Sequence, residues 1–157
     1  MALTGDRMAA NLNLPDRSGD GGVADRVGAE WRRRPWWMNL IWLFCLYMTF
    51  IYLPFDLFIK PVAVDQEVWF GFMLTGWAAK LTAPLHWAIY AAGAYGFWKM
   101  RSWMWPWAAL YVAQVSVGMG VWSLLDPRGG LWTGVVSTAV MAVPAIALWR
   151  SKGRFAR

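Results

Sequence analysis

Six ionisable side chains that could transfer protons or bind a polar ligand lie between positions 56 and 86. They are Asp56, Lys60, Asp65, Glu67, Lys80 and His86. Asp56 and Lys60 are four residues apart, so they would pair on one face of a helix. Together the six could bind a small polar ligand or relay a proton. They could equally be surface ion pairs in a solvated loop, where each pair contributes under about 1 kcal/mol.

His86 is the only histidine in the chain, and imidazole changes its charge near neutral pH. It could act with Asp65 or Glu67 as an acid–base pair if their side chains come within hydrogen-bond reach. The alternative is an interfacial histidine bonded to water or to a lipid headgroup. The chain has one cysteine, Cys45, and no spacing typical of a zinc site. We therefore predict no metal and no cofactor.

Gln114 is the most polar side chain in the middle of an apolar segment. An amide at such a position can form hydrogen bonds between neighbouring membrane helices, which stabilises their packing. It could alternatively line a polar path through the membrane. We expect the structural role.

The composition indicates whether these residues are positioned by membrane segments or by the elements of a soluble domain. Hydrophobic residues make up 59% of the chain and charged residues 15%, against about 45–50% and 25% in soluble domains. A chain of 157 residues needs no large core if lipid solvates its apolar surface. The formal net charge of +6 does not indicate nucleic-acid binding, because the basic residues flank apolar segments as they do in membrane proteins. The bilayer is therefore the expected partner.

The apolar segments predict an all-α integral membrane protein. We expect a four-helix bundle with spans at about 36–53, 81–98, 107–125 and 131–149. The outer segment 54–80 contains 68–80, which is too short to span a bilayer. We predict that this stretch forms a short interfacial helix between the first two spans, or one that is re-entrant. Residues 1–34 and 150–157 are predicted to be cytoplasmic tails, the first of them disordered because it lacks apolar periodicity.

The basic residues also predict the orientation. With the N-terminus inside, twelve of the 15 Lys and Arg lie in the tails and in the loop between the second and third spans. Lys60, Lys80 and Arg128 remain outside. This bias follows the positive-inside rule and places both termini in the cytoplasm, in a bacterial inner membrane. The 14 tryptophans cluster near the predicted span ends, as in aromatic belts.

Three function classes remain open. The favoured one is a non-catalytic accessory or assembly subunit that packs against another membrane protein or against itself, since the sequence has no nucleotide-binding or nucleophile motif. The second is a small oligomeric carrier or channel, which needs polar side chains such as Gln114, His86 and Asp56 along one path. The third is a membrane enzyme that uses His86 with a nearby carboxylate.

Overall fold

The computed structural model describes residues 22–155, which divide into two compact units at Arg33 and Arg34. The first unit contains helix α1, Val23–Arg32. Asp25 in its first turn and Arg32 in its last turn complement the helix dipole, and Arg33 pairs with Glu30 at 2.7 Å. This differs from the disorder predicted for residues 1–34. The remainder of that predicted tail, residues 1–21, lies outside the described residues.

Three helical segments in the described chain are long and apolar enough to cross a membrane, which indicates an integral membrane protein. The first is continuous over Trp36–Phe58 and consists of α2 (Trp36–Tyr47), a π-helical turn (Met48–Tyr52) and α3 (Leu53–Phe58). The others are α5 (Met104–Leu125) and α6 (Leu131–Trp149). Within α5, Trp105 has non-helical dihedrals because it precedes Pro106.

The first segment continues beyond position 53, whereas Pro54 and Asp56 predict that the span ends or kinks there. Proline has no backbone N–H and interrupts the hydrogen-bond ladder of a helix. The preceding π-helical turn takes up this interruption. The carbonyl of Thr49, five residues before Pro54, accepts a 2.8 Å hydrogen bond from the indole of Trp87. A distant side chain thus replaces the donor that proline lacks.

Helix α4 spans Trp77–Lys99 and begins four residues before the predicted start of the second span. Its 23 residues would extend about 35 Å at 1.5 Å per residue, which exceeds the hydrocarbon thickness of a bilayer. It is less apolar than the three segments above because it contains Lys80, Thr82, His86 and Lys99.

The predicted interfacial helix at 68–80 is wrong for most of that stretch. Strand β1 (Gln66–Trp69) pairs antiparallel with β2 (Phe72–Thr75), and Trp69 stands opposite Phe72. The turn residues Phe70 and Gly71 have φ of 52° and 92°, as tight hairpin turns require. Valine and the aromatic residues in this stretch favour a pleated strand over a helix. Apolar content alone could not separate these alternatives.

The helices of the second unit pack mainly in two pairs, α2 with α4 and α5 with α6, while the hairpin contacts α4 and α5. The hydrophobic core lies near the turn that joins α4 to α5. Its members include Met38, Phe97, Met104, Leu148 and Phe155. We call this the basic end, because Lys99 and Arg101 lie in that turn.

Candidate functional site

Four of the six predicted site residues form one ion-pair cluster, the lysine–aspartate clasp: Asp56, Lys60, Asp65 and Lys80. The ammonium of Lys60 lies 2.8 Å from Asp56 Oδ1 and 2.7 Å from Asp65 Oδ1. Lys80 lies 3.3 Å from Asp65 Oδ2. The clasp therefore joins the end of α3, the loop before β1 and the first turn of α4.

Local structure explains why these side chains meet. Asp56 and Lys60 are one helical turn apart, as their spacing predicts. Lys80 also donates to the carbonyls of Asp56 and of Lys60, the latter at 2.9 Å. Carbonyls at a helix C-terminus carry partial negative charge, so a lysine is favourable there. Asp65 follows the 3-10 turn Val62–Val64, which directs the chain back toward α3.

The charges within the clasp balance one another. Asp65 is only 1% exposed. Its burial alone would raise the pKa, but the ion pairs with Lys60 and Lys80 hold the pKa of Asp65 below its ordinary value. Burial likewise opposes the charge of Lys60, yet Asp56 and Asp65 raise the pKa of Lys60. Two ammonium groups thus face two carboxylates, an arrangement that suits a structural tie between elements.

The other two predicted residues, Glu67 and His86, contact each other and not the clasp. A carboxylate oxygen of Glu67 is in hydrogen-bond contact with His86 Nδ1. The hydroxyl of Thr82 and the indole of Trp69 also donate to Glu67, the indole at 3.0 Å. Burial would raise the pKa of Glu67, but these hydrogen bonds hold it below its ordinary value. We call the two residues the Glu67–His86 pair.

Trp69 stacks on the imidazole of His86, with ring centroids 3.9 Å apart and planes 6° apart. A carboxylate at Nδ1 fixes the orientation and the tautomer of an imidazole, which leaves Nε2 as the proton acceptor. The pair therefore has the geometry of an oriented acid–base group. Of the two carboxylates considered as partners of His86, Glu67 occupies this position and Asp65 belongs to the clasp.

Sequence reasoning missed Thr82 and Trp69. Thr82 precedes His86 by four residues, which places both on one face of a helix. Trp69 follows Glu67 by two residues, which places both on one face of a strand. These spacings were visible, but the second depended on recognising β1.

Gln114 lies apart from both groups, partly buried on α5. It is one turn before Gly118, which faces the hairpin turn. A Cβ atom on Gly118 would lie 3.2 Å from the Gly71 nitrogen and 3.6 Å from Gln114 Nε2. The amide of Gln114 is therefore beside the tip of the hairpin.

A third residue that sequence reasoning missed is Arg34. It is 4% exposed and donates to Asn39 Oδ1 at 2.8 Å and to the Phe97 carbonyl at 2.7 Å. Its guanidinium carbon lies 4.7 Å from the ring centre of Trp42 and 5.3 Å from that of Trp98. Planar stacking of this kind favours arginine over lysine, and the contacts tie the start of α2 to the end of α4.

An apolar cavity of about 820 Å³ lies among α2, α4, α5 and α6. Several of its lining side chains, such as Phe44 and Trp107, are also exposed on the surface of the helices. The space is therefore an open apolar groove that hydrocarbon from a surrounding bilayer can enter.

Across residues 22–155, no three His, Cys, Asp or Glu side chains are grouped as a metal site would require. No family model, curated protein or solved structure matches this chain.

Proposed function

We propose that this chain is a four-span, non-catalytic accessory or assembly subunit of a membrane complex. In this proposal α4 is the fourth span, both termini are cytoplasmic, and the membrane is a bacterial inner membrane. Helical bundles with cytoplasmic basic loops are typical of that membrane, whereas the bacterial outer membrane holds β-barrels.

The lysine–aspartate clasp is the observation that carries this proposal. Its four side chains contact one another, and Lys80 additionally binds backbone carbonyls. A substrate site needs groups directed at the substrate, whereas these groups hold α3, the loop and α4 together. These contacts support a structural role for the charge cluster.

Labelling of single cysteines tests the orientation. In a Cys45→Ser background, Arg128→Cys and Arg154→Cys each provide one exposed thiol. A membrane-impermeant maleimide added to intact spheroplasts should modify residue 128 and should reach residue 154 only after lysis. The parent chain is a control, because Cys45 is buried. Labelling of residue 154 in sealed spheroplasts would refute the proposed topology.

Photocrosslinking in native membranes tests the accessory role. A benzophenone amino acid at Phe72 or Trp132, which are both exposed, should give a discrete protein adduct. The buried Leu148 is the matched control and should give none. An adduct of twice the chain mass would indicate self-assembly, which the proposal includes. Absence of protein adducts from both exposed positions would contradict it.

The Glu67–His86 pair favours a second candidate, an acid–base role in a membrane enzyme. A carboxylate at Nδ1 with a tryptophan stacked on the ring orients the imidazole as proton-transferring sites require. Because the chain has one histidine, nitrogen NMR of ¹⁵N-histidine-labelled protein reports His86 alone. The candidate requires the proton on Nδ1 in the neutral ring, and a proton on Nε2 would rule it out.

The carrier or channel hypothesis needs Gln114, His86 and Asp56 on one path. Asp56 lies in the clasp, His86 pairs with Glu67, and Gln114 is beside the hairpin turn. The three residues therefore serve three separate sets of contacts, and we rank this function below the other two.

A further inference from the structure

The cavity between the two helix pairs has an apolar lining, and its end beside the turn between α4 and α5, which we call the rim, is next in the chain to two basic residues. Its lining residues include Leu40 and Phe44 of α2, Tyr90 and Gly93 of α4, and Leu110 and Tyr111 of α5. Tyr90 and Tyr111 meet edge to face, with ring centroids 6.1 Å apart. Because these helices lie at bilayer depth, the surrounding solvent is hydrocarbon and a dry, apolar space admits hydrocarbon rather than water.

The cavity communicates with the lipid-facing surface of the helices. Leu40 and Phe44 on one side and Trp107 and Leu110 on the other line the space and are also exposed. A linear chain can therefore enter sideways from the bilayer. The lining gives no means of recognising one such chain from another, so any selectivity must come from the rim.

The rim at the basic end supplies charge. Phe97 and Trp103 line the cavity, and Lys99 and Arg101 lie between them in the chain, both exposed. Arg101 donates to the hydroxyl of Tyr95 at 3.0 Å in an exposed contact. Tyr95 does not line the cavity, so Arg101 would exchange this bond for one to the phosphate. Basic groups beside a gap between membrane helices suit the phosphate of an anionic lipid.

We infer that the cavity is a binding site for one anionic phospholipid, with an acyl chain between the helix pairs and the headgroup phosphate at Lys99 and Arg101. The apolar space explains why a chain enters, and the two cations determine which lipid remains. This site does not depend on the accessory role proposed above.

Native mass spectrometry of the delipidated full chain tests the inference. Phosphatidylglycerol and phosphatidylcholine with identical acyl chains are titrated separately into the same detergent. We expect one phosphatidylglycerol to be retained per chain, at least tenfold more tightly than phosphatidylcholine. Equal retention of both lipids would overturn the assignment. Retention of neither lipid, by a monomer or by a dimer, would overturn it as well.

Substitutions separate the two parts of the site. Ala92→Phe places a ring in the cavity and should abolish tight retention, whereas Ala139→Phe, on an exposed part of α6 that does not line the cavity, should leave it unchanged. If Ala92→Phe does not fold, Val115→Phe fills the same space. Unaltered retention by a folded cavity-filling variant would refute the site.

The double variant Lys99→Gln/Arg101→Gln addresses the rim. It should bind both lipids with similar affinity, because the cavity is intact and the charges are lost. Arg128→Gln, at the opposite end of α5, is the matched control and should keep the preference for phosphatidylglycerol. A preserved preference in the double variant would exclude the proposed headgroup position.

Discussion

Removing the charge of Asp65 should destabilise the protein more than any other single change in the clasp. Its carboxylate lies 2.7 Å from one lysine and 3.3 Å from the other. At an effective dielectric constant of 20, these separations correspond to gross attractions of about 6 and 5 kcal/mol. Desolvation of the three ions offsets most of this attraction, and breaking a buried pair typically destabilises by about 3–5 kcal/mol.

Asp65→Asn keeps the shape of the side chain and removes its charge. We expect a loss near the lower limit, about 3 kcal/mol, because Lys60 is partly exposed and retains Asp56 as a partner. For a chain of this size, that loss corresponds to a fall of roughly 6–12 °C in the unfolding midpoint.

The chain contains its own reporter for this measurement. Its single cysteine, Cys45, is 6% exposed and reacts with a thiol-sensitive dye only when the helices separate. Dye fluorescence during heating in detergent gives the midpoint. Asp126→Asn is the matched control, because its carboxylate pairs with the exposed Arg128, and it should change the midpoint little.

A double variant tests whether the effect arises from the ion pair. Lys60→Met combined with Asp65→Asn should be less destabilising than the sum of the two single changes, because both remove the same contact. Additive effects would refute the coupling. By the same scaling, a change of about 2 °C in the midpoint corresponds to about 1 kcal/mol. If the midpoint of Asp65→Asn lies within about 2 °C of the parent, the clasp is not a structural tie.

Three further predictions concern acid, the hairpin turn and the buried arginine. Folding lowers the pKa values of Asp65 and Glu67. Their contribution to the free energy of unfolding is therefore complete above the pKa values of the unfolded chain, near about 4, and is lost as pH falls through the lower values of the folded protein. Tryptophan fluorescence melts should show this loss of stability only below about pH 4. Gly71→Ala should destabilise the protein by about 1–3 kcal/mol, because φ at this position is +92° and the new Cβ would lie 2.4 Å from Val121 Cβ. Adding Val121→Ala should restore part of the unfolding midpoint in the dye assay. A midpoint that does not rise would contradict the clash. Arg34→Met should lower the free energy of unfolding by about 3 kcal/mol in the same assay, because two hydrogen bonds from a charged group disappear. Full stability of this variant would show that those bonds contribute nothing.

The parts of the fold that could be predicted are those determined by local sequence. The fourth predicted span, 131–149, has the bounds of α6, Leu131–Trp149, because glycines precede it and a basic turn follows it. Pro54 predicted that the first span ends or kinks there. The helix continues because the indole of Trp87 donates to the carbonyl of Thr49, from which it is 38 residues away in the chain. A contact at that separation cannot be inferred from local propensity.

The candidate site divides in the same way. The i,i+4 spacing predicted the contact between Asp56 and Lys60, which the structure contains at 2.8 Å. Asp65 and Lys80 come together because of the loop before β1 and the hairpin that follows it. The sequence predicted a helix in place of the hairpin. That prediction was based on the apolar content of 68–79 and did not consider a turn at Phe70 and Gly71.

The position of the polar contacts has a physical reason in a membrane protein. Lipid is as apolar as leucine, so the hydrophobic effect does not select which helices become neighbours. Polar contacts between side chains can make that selection. Asp65 ties the loop to Lys80, and two residues later Glu67 ties β1 to His86, so two consecutive links attach this segment to α4. Because the clasp also includes Asp56 of α3, the first helical segment is paired with α4 by charge, at the end opposite the stacked Arg34.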